Sequence, residues 1–201
     1  MREIALHLLD IAENSVAARA TVISISICEN LIDDTLHASV QDNGRGMDPD
    51  ILIRVTDPFV TSRTTRKVGL GIPLLKAAAE ACNGYLSITS TPATGTRLEV
   101  EFQRSHIDRM PLGDITGTIL TLIVAYPQIN WVFNYKIVTP QGNNEYIFND
   151  KPIKEYLEDI PLSEPEVLTY LRELLESGVS NLQDTIGDSI NFKEEFATRR
   201  V

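Results

Sequence analysis

Three polar residues near the start of the chain, His7, Asp10 and Asn14, are spaced i, i+3 and i+7, so on a helix they share one face. A carboxylate and an amide oxygen four residues apart can hold a hydrated Mg2+ and orient a water. The same stripe is also what an ordinary polar helix face looks like, and a histidine one turn earlier can be a hydrogen-bonded structural residue. A second cluster is Asp42-Asn43-Gly44-Arg45-Gly46-Met47. An aspartate fixed at a strand end can accept a hydrogen bond from an exocyclic amino group such as adenine's. Two glycines two apart permit positive φ and close approach of backbone to a ligand, although an Asx-type turn uses the same residues. The third is Gly69-Leu70-Gly71, between a basic loop and a helix start, where free amides and the helix dipole favour phosphates. Arg63, Arg66 and Lys67, just upstream, would neutralise a triphosphate; a solvated loop with two glycines is the alternative.

The elements that must position these residues follow from periodicity. Residues 2–19 read as a helix apolar around most of its circumference except along the His7–Asp10–Asn14 stripe. Residues 21–28 alternate strictly, Ile23, Ile25 and Ile27 against Ser24 and Ser26, which predicts a half-buried strand. Residues 36–40 repeat the pattern and run into the Asp42 cluster. A short helix is expected at 51–55, a polar basic loop at 56–68 and a second helix at 69–82, closed by Asn83-Gly84. Strands at 85–91 and 97–103 complete a two-layer α/β sandwich, an α+β fold with one mostly antiparallel sheet covered on a single face by helices.

That unit ends near residue 104. Residues 105–201 read as a small α+β extension. It has a helix at 114–126, strands at 131–139 and 145–149 joined by 140–144, and helices at 153–158 and 164–177, the last closed by Gly178. The final twenty residues show no assignable pattern.

The chain has 201 residues, 43% of them hydrophobic, enough to bury a core, and a net charge of −10. That charge opposes binding to nucleic acid or an anionic membrane surface. No apolar run is long enough to span a bilayer, and the acid-bearing N-terminus lacks a signal-peptide pattern, so a cytoplasmic location is expected. Cys28 and Cys82 are too few and too far apart for a disulfide framework or a metal site. Neither a Gly-x-x-x-x-Gly-Lys-[Ser/Thr] loop nor a strand followed by Gly-x-Gly-x-x-Gly is present.

Taken in order, these boxes resemble the GHKL ATPase superfamily of gyrase B subunits, heat-shock chaperone ATPases, sensor histidine kinases and MutL-type mismatch-repair ATPases. Residues 13–21 (ENSVAARAT) are similar to the mismatch-repair form of the Asn box, and residues 42–47 (DNGRGM) to the first glycine box. Residues 57–62 and 69–76 look more like the lid and second glycine box of histidine kinases, and Gly95-Thr96 matches the Gly-Thr before the last strand. The resemblance covers residues 4–103 and implies the Bergerat fold with ATP and Mg2+ as ligands. It assigns Asn14 to Mg2+, Asp42 to the adenine amino group, and Gly44 and Gly46 to the base and ribose, with Met47 beside them as a nucleotide-binding residue. Gly69 and Gly71 cradle the phosphates, with Arg63, Lys67 and Leu70 counted beside them as nucleotide-binding residues, and Thr96 supports Asp42 through its hydroxyl and a bridging water. Hydrolysing members carry a glutamate four residues before the asparagine; here Asp10, one methylene shorter, stands in the general-base position, and Lys67 replaces a glycine of the second box, where it adds a phosphate contact or stiffens the lid.

Three functions fit this resemblance: a slow ATPase acting as an ATP-dependent conformational switch, a protein kinase acting in trans like the anti-sigma-factor serine kinases, and a non-hydrolysing ATP-sensing adaptor. Within this chain thirteen residues precede Asn14, too few for the phosphoacceptor hairpin of a self-phosphorylating histidine kinase. Residues 105–201 are expected to transduce lid closure or bind a protein partner, with a hinge at 111–114, or else only to cover the open face of the sheet, and ATP-dependent homodimerisation is a further expectation.

Overall fold

A computed structural model of the chain describes residues 3–55 and 71–198, with side chains described as far as residue 184. The elements run α1 (Ile4–Ala17), β1 (Val22–Asn30), β2 (Thr35–Asp42), α2 (Pro49–Arg54), α3 (Gly71–Ala81), β3 (Tyr85–Thr91), β4 (Gly95–Gln103), α4 (Ile115–Ala125), β5 (Asn130–Thr139), β6 (Gly142–Asn149), α5 (Lys151–Leu157) and α6 (Pro165–Thr198). The strands form one sheet in the order β3-β4-β2-β1-β5-β6. Every neighbouring pair is antiparallel except β1 and β5.

Alternation along the strands decides which face is covered. Register aligns Ile25 with Val40 and Phe133, Ile27 with Ala38 and Tyr135, and Phe133 with Phe148. All of these are buried. Against that face lie α3 over β3 and β4, α1 over β1 and β2, and α6 over β5 and β6, with α4 between α1 and α6. The opposite face carries Ser24, Ser26, Arg97, Glu99 and Lys136, as an antiparallel sheet with one solvated face should. The expected two-layer sandwich with helices on a single face is what forms.

The stretch after residue 104 continues this sheet instead of building a second one. β5 pairs in parallel along the whole of β1, from Val22↔Asn130 to Asn30↔Val138. The connecting segment is also bonded to α1, since the Ile4 and Ala5 amides donate to the Pro111 and Leu112 carbonyls at 3.0 and 2.9 Å. Those are two of the N-terminal donors that a helix cannot satisfy internally. Asp114 then caps α4, its carboxylate accepting from the Gly117 amide at 2.8 Å.

Two details differ from the periodicity reading. The 140–144 loop shortens to Pro140-Gln141, because Thr139 pairs with Gly142 and its hydroxyl both accepts from the Gln141 amide and donates to the Gly142 carbonyl. Gly178 does not end a helix, and α6 runs on to Thr198. A Cβ at Gly178 would lie 2.3 Å from the Tyr146 ring, so the glycine is there for a close crossing of α6 over β6. Leu171, Leu175, Val179 and Leu182 continue the buried stripe through it.

Far from the Asp42 end of the sheet, buried Glu29 accepts from the Tyr135 hydroxyl at 2.5 Å and from Arg104 Nε at 2.7 Å. Burial, then the Glu29 charge and that hydrogen bond, push the Tyr135 phenol well above its ordinary range.

Candidate functional site

Asp42 ends β2 on the buried face, where α1 crosses the sheet. Its two oxygens are separately held. Oδ2 accepts from the Ser15 hydroxyl at 2.6 Å and Oδ1 from the Gly44 amide at 2.8 Å. Ser15 is the residue that motif reading missed. It follows Asn14 on α1 but points the other way, into the core, and its Oγ also reaches the Ile11 carbonyl. The signal available was its place within the Asn box, and nothing in its own spacing separates it from a solvated serine.

The glycine cluster is tied on three sides. Asn43 Oδ1 accepts from the Thr21 and Val22 amides at 2.9 Å, fixing the entry to β1. The Arg45 amide donates to the Ala18 carbonyl at the end of α1, and the Arg45 carbonyl accepts from Ala93 in the β3–β4 turn. Gly46 sits at φ 66°, the left-handed region, where a Cβ would meet the Thr91 carbonyl oxygen. Gly44 packs on the Ala18 carbonyl, and the Met47 amide donates to Ser90 Oγ at 2.8 Å.

Thr96 is the cross-strand partner of Asp42. Its hydroxyl lies 2.9 Å from Ser90 Oγ, so the direct side-chain support of Asp42 comes from Ser15. Gly95, beside Thr96, takes φ 132° with the Asp42 carbonyl against it, which only a residue without Cβ allows.

On α1 the polar stripe forms as predicted and becomes more buried toward the helix start: Asn14 is exposed, Asp10 half-buried and His7 only 2% exposed. The N-terminus of α3 covers it. A Cβ on Gly71 would come 3.1 Å from Asp10 Oδ2, so the carboxylate lies against the first turn of α3. Burial pulls the His7 pKa below its ordinary value and the N-terminal charge adds to this. A backbone hydrogen bond with Gly71 and the charge of Asp10 oppose it. The structure therefore brings Asp10, Asn14, Asp42, Gly44, Gly46, Met47, Gly71 and Thr96 to one end of the molecule between α1, α3 and the sheet. Arg63, Lys67, Gly69 and Leu70 lie outside the described residues, and so does the lid-like segment 57–62.

A buried, doubly bonded aspartate at a strand end, a glycine turn beside it and a polar helix stripe leading to a second helix N-terminus define a nucleotide-binding α/β sandwich. The sequence pattern of the histidine kinase-, DNA gyrase B- and HSP90-like ATPases matches residues 1–106, and the chain belongs to that family. An NtrY-like sensor histidine kinase of Rickettsia conorii is 27% identical over 108 residues, 54% of this chain and 18% of that protein. The sensor protein kinase FleS of Pseudomonas aeruginosa is 39% identical over 88 residues, 44% of this chain and 22% of its own length. The chain thus spans about a fifth of these relatives, and the family pattern ends at residue 106. A solved structure, the N-terminal domain of a DNA repair protein, superposes with a TM-score of 0.53 at 15% identity. It covers 73% of this chain and 52% of that one, a likeness of fold that extends past residue 106.

Proposed function

We propose that the chain binds Mg2+-ATP at this site and works as a slow ATPase whose nucleotide state sets a conformational switch. The observation that carries the reading is Asp42: a carboxylate buried to 9% exposure yet held in a fixed orientation by Ser15 and Gly44 suits an adenine amino group. Gly44, Gly46 and Met47 would border the base and ribose, and Thr96 would keep the strand ends in register beneath it. Arg63, Lys67, Gly69, Leu70 and Gly71 would meet the phosphates, the last as the first residue of α3.

The donor set suits Mg2+ carried in by the nucleotide. Among the described residues no group of three or more His, Cys, Asp or Glu could hold a metal unaided, and Mg2+ commonly keeps its waters and binds through one or two protein oxygens plus substrate phosphates. Asn14, exposed on the stripe, would supply the protein oxygen. When bound, the ion neutralises charge on the phosphate oxygens. Asp10 would take a proton from water as general base; such assistance is worth roughly 10²–10⁴-fold, and the short aspartate side chain keeps turnover slow.

The experiment follows γ-labelled ATP with Mg2+ through free phosphate, bound nucleotide and labelled protein together. Phosphate release that Asp10→Asn removes while binding persists supports the switch. Binding without release favours an adaptor. Asn14→Ala with unchanged Mg2+-ATP affinity refutes the nucleotide assignment. A second reading, phosphoryl transfer in trans to a protein partner, draws on the kinase relatives and is favoured by label appearing on an added protein.

The partner, docking through residues 105–201, and an ATP-dependent homodimer belong to the same proposal, as does a cytoplasmic location. No helix among the described residues is long and apolar enough to cross a membrane.

A further inference from the structure

We propose that the cleft between α1, α4 and α6 is a docking site for a basic amphipathic segment of a protein partner. The inference rests on the partner reading above and deepens it, and it does not need the nucleotide. The cleft has a volume of about 530 Å3. Pockets for small ligands run to roughly 300–1,000 Å3, so this one takes a few side chains of a partner and not a whole helix. Leu6 and Leu9 of α1 and Leu120 of α4 give it an apolar wall, and Leu6 is 40% exposed. That wall belongs to the helix that also carries Asp10 and Asn14.

The polar part of the lining is one-sided. Thr116, Thr118 and Thr121 spend their hydroxyl protons within α4 and its cap. They donate to Asp114 Oδ1 at 3.1 Å, to the Asp114 carbonyl at 2.8 Å and to the Gly117 carbonyl at 2.7 Å. Glu3, Asp114 and Glu176 bring carboxylates, which when ionised only accept. Arg172 is the one cation in the lining among the described residues, and it forms no ion pair with any of them. An occupant must therefore bring cations and hydrogen-bond donors together with apolar groups. Phosphates and acidic peptides fail that requirement, and a net charge of −10 opposes a second copy of this chain. A helix with large apolar side chains along one face, flanked by lysine or arginine, meets it, and amphipathic helices seat in grooves in this way.

The test titrates the full chain with a fluorescently labelled synthetic helix, leucines along one face and lysines along the other. About 0.15 M salt screens the more distant charges. Anisotropy should rise to saturation, and the same helix with glutamate in place of lysine should bind at least about tenfold more weakly. Glu176→Lys should weaken binding of the lysine helix about fivefold, and Leu6→Ser by about the same factor. Arg172→Glu should tighten it about fivefold, a gain that a damaged fold cannot produce. Glu155→Lys and Lys151→Glu make comparable charge changes on α5, outside the cleft, and should stay within about twofold.

The proposal is overturned if no saturable binding occurs, if the glutamate helix binds as well, or if the cleft variants leave affinity unmoved. Equal effects from the α5 variants would reduce the interaction to net charge and overturn it too. Spermine competing as well as unlabelled helix would mark a small-amine site, and self-association abolished by Leu6→Ser would mark an interface between copies; either result overturns a partner segment. A chain that binds the helix but no Mg2+-ATP leaves the cleft standing and refutes the nucleotide reading. One that binds Mg2+-ATP but not the helix refutes the cleft alone.

Discussion

Replacing Ser15 with alanine tests the link between fold and site directly. The Ser15 hydroxyl donates to Asp42 Oδ2 at 2.6 Å, a distance typical of a hydrogen bond to an ionised acceptor. Asp42 is 9% exposed, so water cannot easily take the place of the lost donor. A hydrogen bond to a charged group contributes about 1.5–3 kcal/mol, and the other hydrogen bond to this side chain among the described residues, from the Gly44 amide, holds only Oδ1. Ser15→Ala should therefore destabilise the protein by about 2 kcal/mol, which for a chain of this size lowers Tm by about 4–8 °C.

The same change frees Oδ2 to turn. If Asp42 reads the adenine amino group, the ATP Kd should rise about tenfold, one hydrogen bond's worth of orientation, and the preference for ATP over GTP should shrink with it. Thermal unfolding and calorimetry on the same samples give both numbers, with Ser24→Ala on the solvated sheet face as a control that moves neither. A Tm within about 1 °C of wild type would refute the claim that this bond ties α1 to β2. A lowered Tm with unchanged ATP affinity would refute the role given to Asp42.

Gly178→Ala should destabilise by about 1–3 kcal/mol, because the new methyl meets the Tyr146 ring where α6 crosses β6; urea denaturation reads it. Arg104→Ala should cost about 3 kcal/mol by leaving Glu29 buried without its cation. Adding Glu29→Gln should recover much of that loss, since removing both charges is far milder than removing one. The Tyr135 phenol is raised in the folded protein, so the native state holds its proton more tightly than the unfolded chain does. Its stabilising contribution is complete below about pH 10 and is lost as pH climbs from there toward the raised value. Ultraviolet titration should show a tyrosine that ionises only as the protein unfolds, and Tyr135→Phe should remove that phase.

Features that depended on local pattern were legible from the residues. The Ile–Ser alternation of β1 specified a strand with one buried face, and the glycines at 44 and 46 announced a turn with close backbone approach. The stripe on α1 formed with the side chains in the predicted line. Features set by distant partners were not legible. Ser15 is recognisable as a site residue only once β2 lies beneath α1, because its partner is 27 positions away. Gly178 looked like a helix end because the tyrosine ring that requires a glycine there is on another strand. The pairing of β5 with β1 is a parallel contact between segments about a hundred residues apart, and alternation within each strand gives no information about which edge it will join.

This pairing constrains how any signal could leave the nucleotide end. A hinge at 111–114 between two rigid bodies would have to part β1 from β5, which are bonded along the whole of β1. Motion in the helical layer needs no such rupture. Helix α1 carries Asp10 and Asn14 on one flank and touches α4 on another, and its first two free amides are bonded to Pro111 and Leu112. Helix α4 in turn packs on α6, which crosses β6 at Gly178. A small rotation of α1 driven from the phosphate end would therefore reach α6 through side-chain packing and two backbone hydrogen bonds, while the sheet stays intact. Lengthening or softening the 105–110 connection should accordingly matter little to coupling. Substitutions where α1 faces α4, such as Leu9→Ala in the cleft that both helices line, should weaken any nucleotide-dependent change in hydrogen exchange along α6 while leaving ATP affinity near wild type.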